Sequence, residues 1–402
     1  MKLKVSLALF VCTLSYCPVV NGEEPDPTKL VRDLGSPRFA TREAAEQKLV
    51  ALGAKAKGAV LAGTKNPDAE VARRCGAILP KVRAAERKAL VDGTIDWPAP
   101  AGTRFRDLAG DTNEARKLFV LMTEDDRRAA IAEAAAIEPG GAANLYAAEV
   151  ARLVVAAEKT PNDVILPPAG ADREAVLASV RDTHREAVGP ADVTLALYLG
   201  AFAGPDGAPD PAGVTQLLRP SFFDLATGPQ KRSFARLFTA WLDRRRDPKV
   251  VQAGLEAALF AHIPEAAPVA RRLAADANTP GPVAGTAVLV LGYLGSKDDL
   301  ARLSALRDDG RVFEVHGRAG VEPAIDLQVR DVAAAMSLVL WGAVPANYGS
   351  EPFEHRAWWT DSAAKPFTTP EVFQSSKARA AALKKAWEWL DQQPGAPPKP
   401  GK

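Results

Sequence analysis

A polar residue followed by proline opens one helix-like run after another along this chain, and at one place the same opening returns after thirty residues. Ser36-Pro37-Arg38-Phe39 begins a run that ends at Leu52-Gly53, and Asn66-Pro67-Asp68-Ala69 begins the next, with Leu49 falling on Leu79 at the same offset. Ser and Asn are preferred N-caps, and proline costs little in a first helical turn, whose N–H groups have no intrahelical acceptor. Ala44, Ala45, Leu49 and Leu52, and then Val71, Cys75, Ile78 and Val82, recur on one face of a 3.6-residue period. Residues 56–61 read as a short antiparallel partner between the two runs. Helix pairs repeating over about 30–35 residues bury their apolar faces only against their neighbours, which predicts an all-α fold of the α-solenoid type.

The pattern returns later. Asp247-Pro248-Lys249-Val250 opens a run through Leu255 and Leu259, residues 265–275 form its partner, and Thr279-Pro280 caps a helix that stops at Gly295. Ser296-Lys297-Asp298-Asp299 then caps residues 300–306, with acids at the positive end of the helix dipole. Between the two stretches, residues 97–102 read as a linker, Thr123-Glu124-Asp125-Asp126 as a capping box, and 142–158, 172–188, 193–202 and 222–242 as helical. Residues 203–211, rich in Gly and Pro, are the best boundary. One segment breaks the helical pattern. Val312-Phe313-Glu314-Val315-His316 alternates and Gly317-Arg318-Ala319-Gly320 turns, which predicts a β-hairpin inserted at 311–327.

The expected layout is therefore a signal peptide at 1–22, helical repeats at 23–96, a central helical region at 103–202 and further repeats with the hairpin at 212–341. An irregular aromatic-rich loop and a capping helix follow at 342–391, and a disordered tail at 392–402. The capping helix places Leu383, Trp387 and Leu390 on one stripe. Hydrophobic residues make up 47% of the chain but aromatics only 6%, so the core must be built from Ala, Leu and Val, which favours closely packed helices.

Lys2 and Lys4 precede an apolar run at residues 5–20, and cleavage before Glu23 is the expected processing, so the protein is expected in the periplasm or outside the cell. No later stretch is long enough to span a membrane. Cys12 and Cys17 leave with the signal, so Cys75 alone remains and no intrachain disulfide can form. Lys2 and Lys4 also leave, taking the basic residues from 51 to 49 against 49 acids, and the net charge falls from +2 to zero. Such a balance creates no global field toward nucleic acid or anionic lipid.

Asp247-Pro248-Lys249-Val250 and Gln328-Val329-Arg330-Asp331-Val332-Ala333 resemble openings of HEAT-repeat helices. Leu34-Gly35-Ser36-Pro37-Arg38-Phe39-Ala40-Thr41-Arg42-Glu43-Ala44-Ala45, the hairpin leading into Val329, and Ala381-Ala382-Leu383-Lys384-Lys385-Ala386-Trp387-Glu388-Trp389 are similar to stretches of a family of secreted bacterial HEAT-repeat-containing proteins of uncharacterised function. The resemblance implies a HEAT-like scaffold of paired antiparallel helices and an interaction role, and it brings no catalytic residues. Residues 104–200 depart from HEAT spacing.

No nucleophile elbow, P-loop or dinucleotide fingerprint is present. His184, His262, His316 and His355 lack a second His or Cys at helical ligand spacing, and solvated roles fit them better than metal binding. Cys75 falls on an apolar stripe and reads as a packing thiol. The acids at 124–126 and 298–299 read as caps, and Arg330 and Asp331 as links between neighbouring repeats. No cofactor, metal or catalytic residue is expected. Five of the seven tryptophans lie in the C-terminal part. They are expected to cap the last repeat, with Trp358, Trp359, Tyr348 and Phe353 as a candidate binding surface. The expected function is a non-enzymatic scaffold for a protein partner; the alternative is an envelope glycan-binding protein using these aromatics.

Overall fold

The computed structural model describes residues 25–158, 188–203, 217–218, 220–314, 326–348, 352–355, 367–370 and 376–394. The signal segment, residues 172–187 of the helix expected over 172–188, the hairpin turn, and Trp358 and Trp359 lie outside the described residues. The fold is mostly helical with small antiparallel two-stranded sheets, and the chain divides into two compact units after Leu90. No helix among the described residues is long and apolar enough to cross a membrane.

The first unit holds α1 (Pro27–Asp33), α2 (Phe39–Leu52), α3 (Lys57–Gly63) and α4 (Ala69–Val91). The thirty-residue offset carries through to structure: α2 and α4 open at Phe39 and Ala69, and Ala45 and Cys75 are both buried. Both join Leu30, Val31, Leu34, Leu49, Val60 and Ile78 in one core, while Leu79 lies partly buried at its edge. The caps differ from the sequence expectation. Ser36 and Asn66 accept from the amides of Arg38 and Asp68, two residues on, so Pro37 and Pro67 precede their helices. Asp68 is what receives the first amides of α4, from Glu70 at 2.9 Å and Val71 at 3.3 Å. A short polar side chain bonding its own backbone two residues later forms a turn and displaces the helix start. Arg74 ties α4 to α2 through Glu43 at 3.0 Å and Glu46 at 3.2 Å.

In the second unit, α5 (Ala101–Ala109), α6 (Asn113–Met122), α7 (Asp126–Ile137) and α8 (Ala142–Glu158) precede α9 (Pro190–Phe202), α10 (Pro220–Thr227) and α11 (Lys231–Asp243). The linker expected at 97–102 is instead anchored. Trp97 is buried against Phe105 and Phe119, and its indole N–H donates to Asp111 at 3.0 Å. Asp125 is the N-cap of α7, accepting from Arg128 N, while the Thr123 hydroxyl closes α6 by donating to Phe119 O. Every residue from Val193 to Ala201 is buried, so α9 has no solvent face, as expected of a helix apolar all round. It is covered by α6, α7, α8, α10 and α11. Helix α11 also packs on α5 and α6, far earlier in the chain, and the Thr112 and Ser233 hydroxyls meet at 2.9 Å. Repeats that touch only their neighbours lack such contacts.

Buried charges close this core. Glu149 accepts from Arg127 at 2.5 Å and Arg152 at 2.6 Å, and Arg152 reaches on to Asp192 of α9. Arg245 is 3% exposed and donates to the carbonyls of Gly200 and Ala203 at the C-terminus of α9. The faces of Tyr146 and Trp241 lie 5.2 and 5.8 Å from its guanidinium, and the Trp241 N–H donates to the Tyr146 hydroxyl at 2.9 Å. Carbonyls at the negative end of a helix and two ring faces thus surround the cation. Burial still lowers its pKa.

From α12 (Pro248–Phe260) onward, contacts run mainly between elements close to one another in the chain. Asp247 caps α12 as expected, accepting from Lys249 and Val250. Then come α13 (Ala267–Ala275), α14 (Gly281–Leu294), α15 (Leu300–Ser304), β1 (Val312–Glu314), β2 (Leu327–Gln328) and α16 (Val329–Leu340). Helix α14 is buried from Val283 to Gly292 and packs on α12, α13, β1 and α16. Two glycines permit this. A Cβ at Gly285 would run into the Phe313 ring, and one at Gly292 into Met336. Strands β1 and β2 pair antiparallel, Val312 with Gln328 and Glu314 with Leu327, with an irregularity between them. The stretch expected to be irregular contains a second sheet, β3 (Pro352–His355) paired antiparallel with β4 (Phe367–Pro370). Threonine and aromatic residues at these positions suit strands, but four residues per strand are too few for a clear alternation. The final helix is α17 (Ser376–Leu390).

Asp299 is fully buried, accepting from Arg271 at 2.7 and 3.0 Å and from Ser296 N at 3.1 Å. Burial pushes its pKa up, but the Arg271 and Ser296 hydrogen bonds outweigh this and hold it below the usual value. Its stabilisation is therefore complete above about pH 4 and is lost as pH falls through the lower folded value. Asp299→Asn should cost about 3 kcal/mol at neutral pH. It should also flatten the acid side of a plot of melting temperature against pH. A variant with an unchanged acid limb would show that the pair contributes nothing to folding.

Candidate functional site

The C-terminal end of the second unit brings α15, α16, α17 and the 3-10 turn at 345–348 together. At the start of α16, Asp331 closes a capping box on Gln328 N at 2.7 Å. The same carboxylate oxygen accepts from Arg379 Nη2 at 2.6 Å, so Asp331 links α16 to α17. Arg379 also donates to the Asp326 carbonyl. Both side chains are buried. Desolvation holds the Asp331 carboxyl above its usual pKa, against the pull of the Gln328 amide and Arg379. Its other oxygen is buried with no hydrogen-bond partner among the described residues.

Helix α17 lies on α16 along Arg379, Ala382, Ala386 and Leu390, which are buried with Ala334 and Leu338 opposite. Of the expected stripe, Leu390 lies in this seam, whereas the rest of the seam runs one position before Leu383 and Trp387. Leu383 and Trp387 flank it and are only partly buried. A small-residue seam lets the helix axes approach, and the larger side chains then pack at the sides. Trp387 is covered by Arg307, whose guanidinium lies 4.3 Å from the ring centre and also pairs with Asp391. Arg307 therefore holds the end of α17 from α15's side.

An open cavity of about 520 Å³ lies beside this joint. Arg307, Arg330, Arg379 and Lys384 supply four cations to its wall, Asp308 one acid, and Ala380, Leu383 and Trp387 its apolar surface. Arg307 and Arg379 are already paired with carboxylates. The Arg330 Nε and the Trp387 Nε1 are buried without an acceptor among the described residues.

Of the four aromatics proposed from sequence, Tyr348 sits at this end of the fold, 5.5 Å from the Trp389 ring, with Lys385 5.6 Å from its ring centre. Phe353 lies in β3 opposite Thr369. Trp358 and Trp359 fall outside the described residues. Arg307, Arg379 and Asp391 went unmarked in the sequence. Arg379 left one signal, a cation in register with Ala382, Ala386 and Leu390 on an otherwise apolar stripe.

The remaining candidates separate. Cys75 is fully buried in the first unit, and desolvation raises its pKa, which suppresses the thiolate. His262 is exposed at a helix end with φ 53°, and His355 lies in β3. Among the described residues no group of three His, Cys, Asp or Glu is placed to hold a metal ion. No family model, curated protein or solved structure matches the chain.

Removing Arg379 leaves Asp331 buried without its cation. Arg379→Ala should therefore cost about 3–5 kcal/mol. Adding Asp331→Asn should restore part of that loss, since no buried charge is then left alone. Thermal melts of the two single variants and the double variant check this. Additive losses would contradict the pairing.

Proposed function

We propose that the protein is an exported, non-enzymatic interaction protein that engages a protein partner through the C-terminal end of its second unit. The observation that carries the reading is the open cavity beside α16 and α17, where a basic wall meets a partly exposed tryptophan. Arg and Trp are the side chains most often responsible for binding energy at protein interfaces.

The scaffold in this reading is a HEAT-like stack. Helices α12, α14 and α16 follow one another in contact, and α17 lies on α16, an arrangement that fits neighbour-to-neighbour packing. It is confined to this part of the second unit, because α11 reaches back to α5 and α6. The resemblance of residues 328–333 and 381–389 to secreted HEAT-repeat proteins supports the same reading, as does the basic and apolar pattern of residues 1–22 for export. The glycan alternative ranks behind it. Arg307 already occupies one face of Trp387, and Tyr348 has Trp389 and Lys385 beside it, which reduces the ring surface left for stacking.

A photo-reactive side chain at position 384, on the cavity wall, tests the reading in the native host, with the same group at Lys48 in the first unit as the control. The expected result is a discrete protein adduct from position 384, absent from position 48 and competed by unlabelled protein, on a chain beginning at Glu23. Identical adducts from both positions, or none, would contradict the interaction role. Retention of residues 1–22 in the exported pool would contradict export.

A further inference from the structure

The cavity wall contains a specific chemical asymmetry. Arg307 is paired with Asp391, Arg379 with Asp331 and the Asp326 carbonyl, and Lys384 stands 3.8 Å from Glu388. Arg330 has no ion-pair partner among the described residues, although its side chain is partly buried and its Nε is shielded from solvent. Asp308, the one acid of the wall, is exposed and forms no ion pair with it among those residues. The Trp387 N–H is in the same condition, and an indole nitrogen can only donate. Two buried donors without acceptors in one wall are costly, and native structures keep few of them.

Both donors require the same complement, an acceptor-only group. A carboxylate fits. It accepts two parallel bonds from a guanidinium and has lone pairs left for a further N–H. A free ion would leave most of the space unused, since about 520 Å³ lies in the range of sites that hold ligands of several residues' bulk or a small molecule. Ala380, Leu383 and the edge of Trp387 line the rest, and they favour apolar neighbours on either side of the charge. Resting on the interaction role proposed above, we propose that this cavity binds an acidic peptide segment of the partner, the side chains over Arg330 Nε and Trp387 Nε1 moving aside so that one carboxylate is received by the Arg330 guanidinium and the Trp387 indole N–H, with adjacent apolar side chains against Leu383. Lys384, exposed at the edge, adds long-range attraction that weakens with salt.

Fluorescence anisotropy at low salt tests this on the full mature chain. The probe is a labelled hexapeptide amide, Gly-Leu-Glu-Leu-Glu-Gly, compared with its Gln-for-Glu counterpart. Saturable binding of the Glu peptide is expected, with none of the Gln peptide. Arg330→Gln should weaken it about tenfold or more, and Trp387→Phe, which keeps the ring and removes the N–H, about threefold. Lys65→Gln, the same charge change on an exposed residue of the first unit, should leave it unchanged. Arg330→Lys keeps the charge but loses the fork, and an intermediate affinity is expected from it even where the Gln variant is less stable. Equal binding by Arg330→Gln and wild type, or equal binding of the two peptides, overturns the assignment. Displacement of the probe by equimolar inorganic phosphate overturns the peptide class in favour of a general oxyanion site. If position 384 captures a partner but the Glu peptide fails to bind, this inference falls and the interaction role stands. If the peptide binds but no partner is captured, the reverse holds.

Discussion

Two helices without a solvent face set the terms for the second unit. Along α9 and α14 the side chains are apolar or small on every side, so each must be enclosed by other elements rather than laid against one. Burial of apolar surface is the dominant favourable term in folding, and with few aromatic residues in the chain it falls here mainly to aliphatic side chains. Enclosing α9 draws in α6, α7, α8, α10 and α11, and this explains why α11 packs on segments more than a hundred residues earlier. Enclosing α14 draws in α12, α13, β1 and α16, and the short sheet takes part by setting Phe313 over Gly285. Charges are admitted to these cores only with partners in place: Glu149 between two arginines, Asp299 on Arg271, and Arg245 on carbonyls and ring faces.

How much of this was legible depended on whether the signal was local. Helix α8 begins and ends where the apolar pattern does, at residues 142 and 158, and Asp247 caps α12 as its sequence implies. Ser36 and Asn66 misled because a side chain that caps a helix can equally bond the amide two residues on, and only the flanking residues decide. Trp97 stands in a stretch of Pro, Ala and Gly that reads as a linker, but its partners Phe105, Asp111 and Phe119 come later in the chain and no local pattern announces them. Strands β3 and β4 were hidden by their shortness.

The candidate site shows the same limit more sharply. Arg330 and Asp331 stand side by side and read as a structural pair, yet the fold divides them. Asp331 turns to Arg379 and joins two helices, whereas Arg330 is left beside a cavity shared with Arg307 and Trp387. Those residues lie on α16, after α15 and on α17, so their meeting is a product of tertiary packing and not of any motif. The aromatic enrichment and the cavity lie at the same end of the chain, but of the aromatics only Trp387 lines the cavity among the described residues. Trp387 packs beside the seam under the Arg307 guanidinium, and its N–H is left without an acceptor among the described residues.

The claim that α9 and α14 organise the second unit concerns cooperativity, and native-state amide hydrogen exchange measures it directly. Residues enclosed on all sides open only when their covers are lost, so their exchange should follow global unfolding. The slowest amides of the second unit should be those of residues 193–201 and 283–292, with a common free energy of opening, while α17 and α12 exchange faster through local opening. Exchange in α9 or α14 as fast as in α17, or two widely different opening energies for the two helices, would contradict the account.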